Sequence, residues 1–413
     1  MEKKVDRISS LPDPLLEHVL FSIPIKEAAR TGILSKRWKG LWVSHPYISL
    51  SDNDLIDDDP DNWSIRNNKF IKIVDKLLLR RHENARIKKL QLSCRQGVED
   101  AVFSRWYGAV LKDGLEELDF NFGRFCENPL SFLTPCSTLV TLKLYFGPVS
   151  GHKFPTSFDF PSLKSMHLNG FMLANSFPEQ LLKCQNLENL FLSCFMFDNC
   201  FSTDQEQVEL DQQQVLPNLS HAQIGCCDYS FRGRNDARLF LKNLITVLSN
   251  AKAFDLSLSI IEYLYTCIEP SNPDQLPKFL NLKHIKIHFQ AYQIAIMDYI
   301  FQKAPNLESL HIEFDQPYFI VGDYNESVLE QLRSSCSRSC LKVIRLTCLN
   351  IEDGLQLQFV RSLFESAGCL EKITAELNKT AAKHPYVQCY KLSDLPRASK
   401  SCALEVKWHN GQW

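Results

Sequence analysis

The sequence predicts an α/β chain in which a small module of three helices precedes a stack of repeated strand units with a curved parallel sheet. Three observations carry that expectation. A run of the form L-x-x-L-x-L recurs along most of the chain. Four of its first apolar anchors, Leu115, Leu139, Leu163 and Leu187, stand at a constant step of 24 residues. The first 42 residues instead place their leucines and tryptophans at helical spacing.

Composition narrows the function classes. The 413 residues are 45% hydrophobic and 23% charged, ordinary for a globular chain. The formal charge of −2 leaves no global basic field to attract nucleic acid or anionic lipid. The start, MEKKVDRISSLPDPLL, lacks the apolar core and small-residue cleavage site of a signal peptide. No run approaches 18 uninterrupted apolar residues, so no membrane span is expected. The 15 scattered cysteines then read as reduced thiols, and the expected location is cytoplasmic or nuclear.

Residues 11–42 form the helical module. Asp13 followed by Pro14 reads as an N-cap and a first helical position. Leu15, Leu16, Val19 and Leu20 continue at helical spacing, and Pro24 ends that helix. IKEAAR makes a second helix, with Gly32 suited to its exit. Ser35 caps a third, on which Trp38 and Trp42 lie four residues apart on one face. A unit this small carries more large apolar side chains than its interior can hide, and the surplus calls for a partner. The cations Lys36, Arg37 and Lys39 then form a solvated rim; the alternative is that both tryptophans cap the core of the following domain.

These residues resemble an F-box in the form common in plant proteins. Leu11-Pro12, Leu15 and Leu16, the IKEAAR helix, and LSKRW followed by Trp42 carry the resemblance. It implies binding to the Skp adaptor of a cullin–RING ubiquitin ligase. By that similarity Leu11, Pro12, Leu15, Leu34, Ser35, Trp38 and Trp42 lie at or under the adaptor interface.

After this module, SDNDLIDDDPDN at 51–62 reads as an acidic, mobile connection. NNKFIKIVDKLLLRR follows, with Phe70, Ile73, Val74, Leu77 and Leu78 on one helical stripe. This helix is expected to cap the core of the repeats, and residues 51–85 are assigned to linker and cap.

The repeats are assigned to 86–335. ARIKKLQLSC, GLEELDFNF, TLVTLKLYF, SLKSMHLNG and NLENLFLSC open the series, with first anchors Ile87, Leu115, Leu139, Leu163 and Leu187. A 24-residue period lies within the range of leucine-rich repeats, about 20–29 residues. The alternation predicts strands that bury one face only by stacking on their neighbours, as in a solenoid. Phe171 and Phe195 occupy the ninth position where asparagine or cysteine is usual, so uneven curvature is expected. With Leu118 and Phe120 buried, Glu117, Asp119 and Asn121 face the concave side. The same rule turns out Lys143, Tyr145, His167, Asn169, Phe191, Lys286, His288, His311 and Glu313. Lys143, Tyr145, His167 and Phe191 are the candidate substrate-binding residues, expected to form one continuous patch.

Residues 336–413 resemble the FBD domain that closes many plant F-box/leucine-rich-repeat proteins. Leu341-Lys342-Val343, Phe359, Leu363, Leu370-Glu371-Lys372-Ile373 and Leu395-Pro396-Arg397-Ala398-Ser399 carry that resemblance. With residues 1–50 as the F-box and the leucine-rich repeats between, the resemblances together cover nearly the whole chain.

No P-loop, G-x-S-x-G, H-E-x-x-H or dinucleotide fingerprint is present. His284 and His288 are four apart on a strand, roughly 13 Å, and cannot share one metal ion. Cys336 with Cys340, and Cys226 with Cys227, lack a second pair at zinc spacing. No catalytic residue, metal or cofactor is assigned. The chain therefore reads as the substrate-recognition subunit of a Skp–cullin–F-box ubiquitin ligase, itself not an enzyme. Its expected partners are a Skp-type adaptor, through it cullin and RING subunits, and an unknown substrate protein. Two alternatives remain: a repeat scaffold outside ubiquitination, and a small-molecule sensor using the concave face. Nucleic acid and membrane are not expected partners. In an anisotropy assay at physiological salt, single-stranded and duplex DNA should show no sub-micromolar binding; a tight complex with a steep salt slope would overturn the charge argument.

Overall fold

The computed structural model describes residues 8, 10–55, 63–79, 86–110, 114–123, 136–147, 152–197, 209–226, 235–267, 277–290, 293–315, 326–350, 352–378 and 391–409. The chain divides into two compact units. The first holds residues 1–174 and 183–187; the second holds 175–182 and 188–413.

The first unit opens with helices α1 (Asp13–Phe21), α2 (Ile25–Arg30) and α3 (Lys36–Leu41). Their shared interior is Leu16, Leu20, Ala28, Trp38 and Leu41, with Leu11, Phe21, Ile23 and Trp42 packed against it. Ser35 caps α3 as expected: its hydroxyl accepts the Trp38 N–H at 3.4 Å. Asp13 does not cap α1. The helix begins at Asp13 with Pro12 before it, and the carboxylate instead accepts Arg37 Nε at 2.8 Å. Gly32 does not end α2 in a left-handed turn. A 3-10 turn, Thr31–Ile33, carries the chain straight on.

Strand β1 (Tyr47–Ser51) follows directly, and nothing in the sequence reading anticipates it. Its junction with the helices is fixed by His45, which is buried. His45 Nδ1 accepts the Tyr47 N–H at 3.1 Å, which assigns the ring proton to Nε2, 3.0 Å from the Ile23 carbonyl. The start of the acidic connection is ordered too. Asp52–Asp54 forms a 3-10 turn closed by a capping box with Ser51, and buried Asp52 accepts the Arg95 N–H at 3.0 Å. Residues 56–62 of that segment lie outside the described residues.

Helix α4 (Trp63–Leu79) buries Phe70, Val74, Leu77 and Leu78 and leaves Ile73 exposed. Then come β2 (Lys89–Cys94), α5 (Asp100–Val110), β3 (Glu117–Phe122), β4 (Thr141–Phe146), β5 (His152–Lys153), β6 (Ser165–Asn169) and β7 (Phe171–Leu173). The strands β1-β2-β3-β4-β6 pair in parallel in that order, and β5 pairs β7. Asp75 of α4 joins the two helices by accepting Trp106 Nε1 at 2.8 Å and Arg105 Nη2.

The second unit contains α6 (Phe177–Leu181), β8 (Asn189–Phe197), β9 (His221–Cys226), α7 (Asn235–Leu248), β10 (Ala253–Leu256) and α8 (Leu258–Cys267). It continues with β11 (His284–Phe289), α9 (Ile294–Lys303), β12 (Ser309–Phe314), α10 (Glu326–Ser337), β13 (Val343–Leu349), α11 (Gly354–Ser366), β14 (Lys372–Asn378) and β15 (Ala403–His409). All eight strands pair in parallel in chain order.

One backbone device repeats in both units. Two successive N–H groups at a strand start donate to one carbonyl of the preceding rung. Glu116 and Glu117 use Lys88, Val140 and Thr141 use Glu116, and Lys164 and Ser165 use Val140. In the second unit Lys283 and His284 use Lys252, and Glu308 and Ser309 use Lys283. A side-chain ladder stands beside it on several rungs, one residue before the anchor. Asn186 donates to the Pro161 carbonyl, Asn250 to Leu216 and Pro217, and Asn306 to Leu280, at 2.8–3.2 Å. Asparagine is therefore missing from the ninth position of the repeat and present ahead of the first.

The ninth position has its own logic. Gly170 (φ +81°) and Cys194 (φ +48°) adopt the left-handed backbone just before it. That turn swings Phe171 and Phe195 inward, and both are fully buried. Cys348 (φ +58°) repeats the device before Leu349. Phe171 then packs on Phe146 and Phe154, with ring centroids 5.1 and 5.7 Å apart. At Gly147 the constraint is contact: a Cβ there would stand 2.1 Å from the Gly123 carbonyl oxygen. Gly147→Ala should therefore lower the urea midpoint, a loss of about 2–4 kcal/mol. Cys194→Gly should raise it by about 0.5–1 kcal/mol, the relief of a left-handed backbone less the added chain entropy. An unchanged midpoint for Gly147→Ala would contradict the close approach.

Candidate functional site

Two surfaces are candidates, and they differ in chemistry. The first lies on α1–α3. Leu16 and Leu20 fill the interior, while Leu15 and Val19, one position earlier in each turn, stay exposed. Ile33 and Leu34, in the turn before α3, are 89% and 66% exposed. Arg37 ties the start of α3 to the start of α1: Nη2 donates to the Leu11 carbonyl at 2.6 Å and to Asp13. The turn bearing Leu34 and Ser35 is thereby held at the end of the module that bears Leu11, Pro12 and Leu15. Arg37, exposed as expected, is thus also a clamp.

The predicted residues divide into two layers. Pro12, Leu15, Leu34 and Ser35 are exposed. Leu11 and Trp42 are half-buried against the interior, and Trp38, 4% exposed, is inside it. Val19 and Ile33 belong to the exposed layer and escaped the sequence reading. The signal was present: Val19 lies four residues after Leu15, and Ile33 adjoins Leu34.

The second surface is the strand face opposite the core. Register puts Ser49, Gln91, Asp119, Lys143 and His167 in one row of the first unit. The row is hydrogen-bonded: Ser49 Oγ to Gln91 Oε1 at 3.1 Å, and Gln91 Nε2 to Asp119 Oδ2 at 3.2 Å. Tyr145 OH and Ser165 Oγ flank His167 at 3.4 and 2.9 Å. Burial raises the Asp119 carboxyl above the usual range, against the pull of Lys143 and Lys89. Burial, then the nearby Lys143 charge, pushes His167 down to about 4. His167 is therefore a neutral hydrogen-bonding group at pH 7. Phe191 belongs to the second unit, where its ring stacks on His221 at 5.1 Å. The alternation thus places all four candidates on the polar strand face, three in one unit and one in the other.

The second unit's face is mixed in sign and largely paired. Lys286 meets Glu313 at 3.0 Å, His288 lies 3.8 Å from the same carboxylate, and Arg345 meets Glu376 at 2.9 Å. His311 Nε2 lies 3.2 Å from Thr347 Oγ1. His284 and His288 both lie on β11, as expected. Among the described residues no group of three or more His, Cys, Asp or Glu could hold a metal ion. Cys227 lies outside the described residues. A cavity of about 30 Å³ in the second unit is lined by apolar side chains such as Phe254, Ile285 and Ile296, from the core rather than the polar face. Among the described residues no helix is long and apolar enough to cross a membrane.

Comparison with known proteins places these surfaces in context. Residues 8–49 match the F-box domain model. The chain is 26% identical to an FBD-associated F-box protein of Arabidopsis thaliana, covering 97% of this chain and 94% of that protein. It is 25% identical to an F-box/FBD/LRR-repeat protein of the same plant, covering 98% and 97%. A further FBD-associated F-box protein from it is 27% identical, covering 97% and 99%. The chain thus carries an F-box domain and is similar over nearly its whole length to plant F-box/FBD/LRR-repeat proteins.

His167 makes stability pH-dependent with a definite sign. Its folded-state value is depressed, so the unfolded chain takes up a proton first as pH falls from about 6.5. Stability should decline from there and level off near pH 4. His221 and His311 are lowered by burial in the same direction. Urea midpoints measured from pH 7 to 4 should fall less steeply for His167→Gln than for the natural chain; parallel curves would contradict a neutral, half-buried His167.

Proposed function

We propose that this protein is the substrate receptor of a Skp–cullin–F-box ubiquitin ligase, an adaptor and not itself an enzyme. The F-box match names the module, and F-box domains bind Skp-type adaptors. The observation that carries the reading is the exposed apolar layer of Leu15, Val19, Ile33 and Leu34 over an interior already filled by Leu16, Leu20 and Trp38. Such a layer costs solubility unless a partner covers it. Leu11, Pro12 and Ser35 edge the contact, and Trp38 and Trp42 support it from beneath. Cullin and RING subunits then join through the adaptor.

The proposed organisation is F-box at 1–50, linker and capping helix at 51–85, a leucine-rich-repeat solenoid at 86–335 and an FBD-like segment at 336–413. The polar strand face, with Lys143, Tyr145, His167 and Phe191, takes the substrate protein. The ligase gains rate by holding a substrate lysine near the charged conjugating enzyme at raised effective concentration. The cytoplasm or nucleus, where such assemblies work, is the proposed location.

Leu15→Glu with Leu34→Glu is the cleanest test, because both side chains already face solvent and the fold should survive. Capture of a recombinant Skp-type adaptor should weaken by roughly 30-fold for each anchor lost, since anchors at an interface centre contribute about 2 kcal/mol each. Undiminished capture by a folded double variant would sink the assignment of this face. Trp38→Ala should also abolish capture, through loss of the helical module's interior.

A further inference from the structure

The residue before the buried anchor (Ala251, Leu282, Leu307, Leu341, Leu370) forms its own column along five rungs of the second unit. Asn250, Asn281, Asn306, Cys340 and Cys369 each lie three residues before register-paired strand positions. Those positions are Ala253, His284, Ser309, Val343 and Lys372. On the asparagine rungs, side chains reach across one step. Asn281 Nδ2 lies 2.5 Å from Asn250 Oδ1, and Asn306 Nδ2 donates to the Leu280 carbonyl at 2.8 Å. The last two rungs substitute cysteine for asparagine. Glu371 and Lys372 N–H groups donate to the Lys342 carbonyl at 2.8 and 3.1 Å, which holds these rungs in the same register. The paired strands that follow, β13 and β14, lie roughly 4.8 Å apart, and the same step is carried three residues back to Cys340 and Cys369. That falls inside the Cα separation a disulfide spans, about 4.4–6.8 Å.

Exposure singles out the same two thiols. Of the ten free cysteines among the described residues, Cys340 and Cys369 are exposed. The others are buried or half-buried. Burial pushes the Cys94 and Cys184 thiols up to about 11 and about 12, so they stay protonated and inert.

We propose that Cys340 and Cys369 form a redox-responsive dithiol that closes to a disulfide with glutathione disulfide as the oxidant. One protein thiolate attacks glutathione disulfide, releasing one glutathione and leaving a mixed disulfide. The second protein thiolate attacks the first cysteine's sulfur and releases the second glutathione. One S–S bond forms in the protein as one breaks in the oxidant. The two electrons and two protons leave on two glutathione thiols. The closed loop contains β13 and α11, so oxidation staples the rung before β13 to the rung before β14. This proposal is independent of the ubiquitin-ligase reading.

The test uses the full chain equilibrated in glutathione mixtures, quenched by alkylation and digested with trypsin. Cleavage after Arg338, Lys342, Arg361 and Lys372 releases peptides 339–342 and 362–372, each with one cysteine. A linked pair of these peptides should accumulate as the mixture becomes oxidising and disappear on reduction. Phenylarsine oxide, which bridges two neighbouring thiols, should bind the reduced chain, and one equivalent should be lost in Cys340→Ser and in Cys369→Ser alike. Both substitutions are at exposed positions, and circular dichroism checks the fold. Separate glutathione adducts on the two cysteines without the linked peptide would overturn the proposal. So would an unchanged arsenical stoichiometry in the folded variants.

Discussion

The paired donation of two successive N–H groups to one carbonyl of the preceding rung is the interaction on which the rest of this structure depends. It recurs at Lys88, Glu116 and Val140 in the first unit and at Lys252, Lys283, Glu308 and Lys342 in the second. Each instance locks one strand against the next with no freedom to slide. A slip of one residue would turn Leu118 and Phe120 out to water and drive Asp119 into the core. Because the step is locked, a residue's place in the repeat decides its neighbours, however variable the connecting segments are. The polar rows on the strand face, the phenylalanines behind it and the column of asparagines and cysteines all follow from that register.

The two candidate surfaces express different physics. On the strand face and at the strand starts several charged groups already have partners within the chain: Lys89 with Glu117, Lys286 with Glu313, and Lys283 and Lys342 with Glu308. Hydrogen bonds from Lys283 and then Lys342 hold the Glu308 carboxyl down to about 2. A partner for such a face is recognised by shape and directed hydrogen bonds, with little to gain from net charge. The helical module is the opposite case. Arg37 is engaged with Asp13 and Leu11, while Leu15 and Leu34 face solvent. A partner for that face would be held by apolar burial, the stronger and less specific of the two modes.

Much of this was legible in the sequence, for reasons that can be named. The alternation L-x-x-L-x-L reports a strand with one buried face, and the buried sets Leu118/Phe120, Leu142/Leu144 and Met166/Leu168 follow it. The outward residues Lys143, Tyr145 and His167 follow from the same rule. Helical spacing found α1 and α4, but it could not say which of the adjacent leucines Leu15 and Leu16 faces the core, because that is decided by what packs opposite. Strand β1 escaped because YISLS has no anchor leucine ahead of it; its place is set by pairing with β2 and by His45. Asp13 reads as a cap in one dimension, yet Arg37, 24 residues away, takes its carboxylate. The asparagine column was visible as a recurrent N-L before the strands. It went unread because a ladder was sought at the ninth position, just before which Gly170, Cys194 and Cys348 instead redirect the chain.

Hydrogen–deuterium exchange of the chain alone and with a Skp-type adaptor tests the central claim most directly. Amides in α1 and in the turn Thr31–Ser35 should gain protection on mixing, while those of β3, β4 and β6 stay unchanged. Protection on the strand face with none on α1, or no change anywhere at micromolar adaptor, would contradict the account.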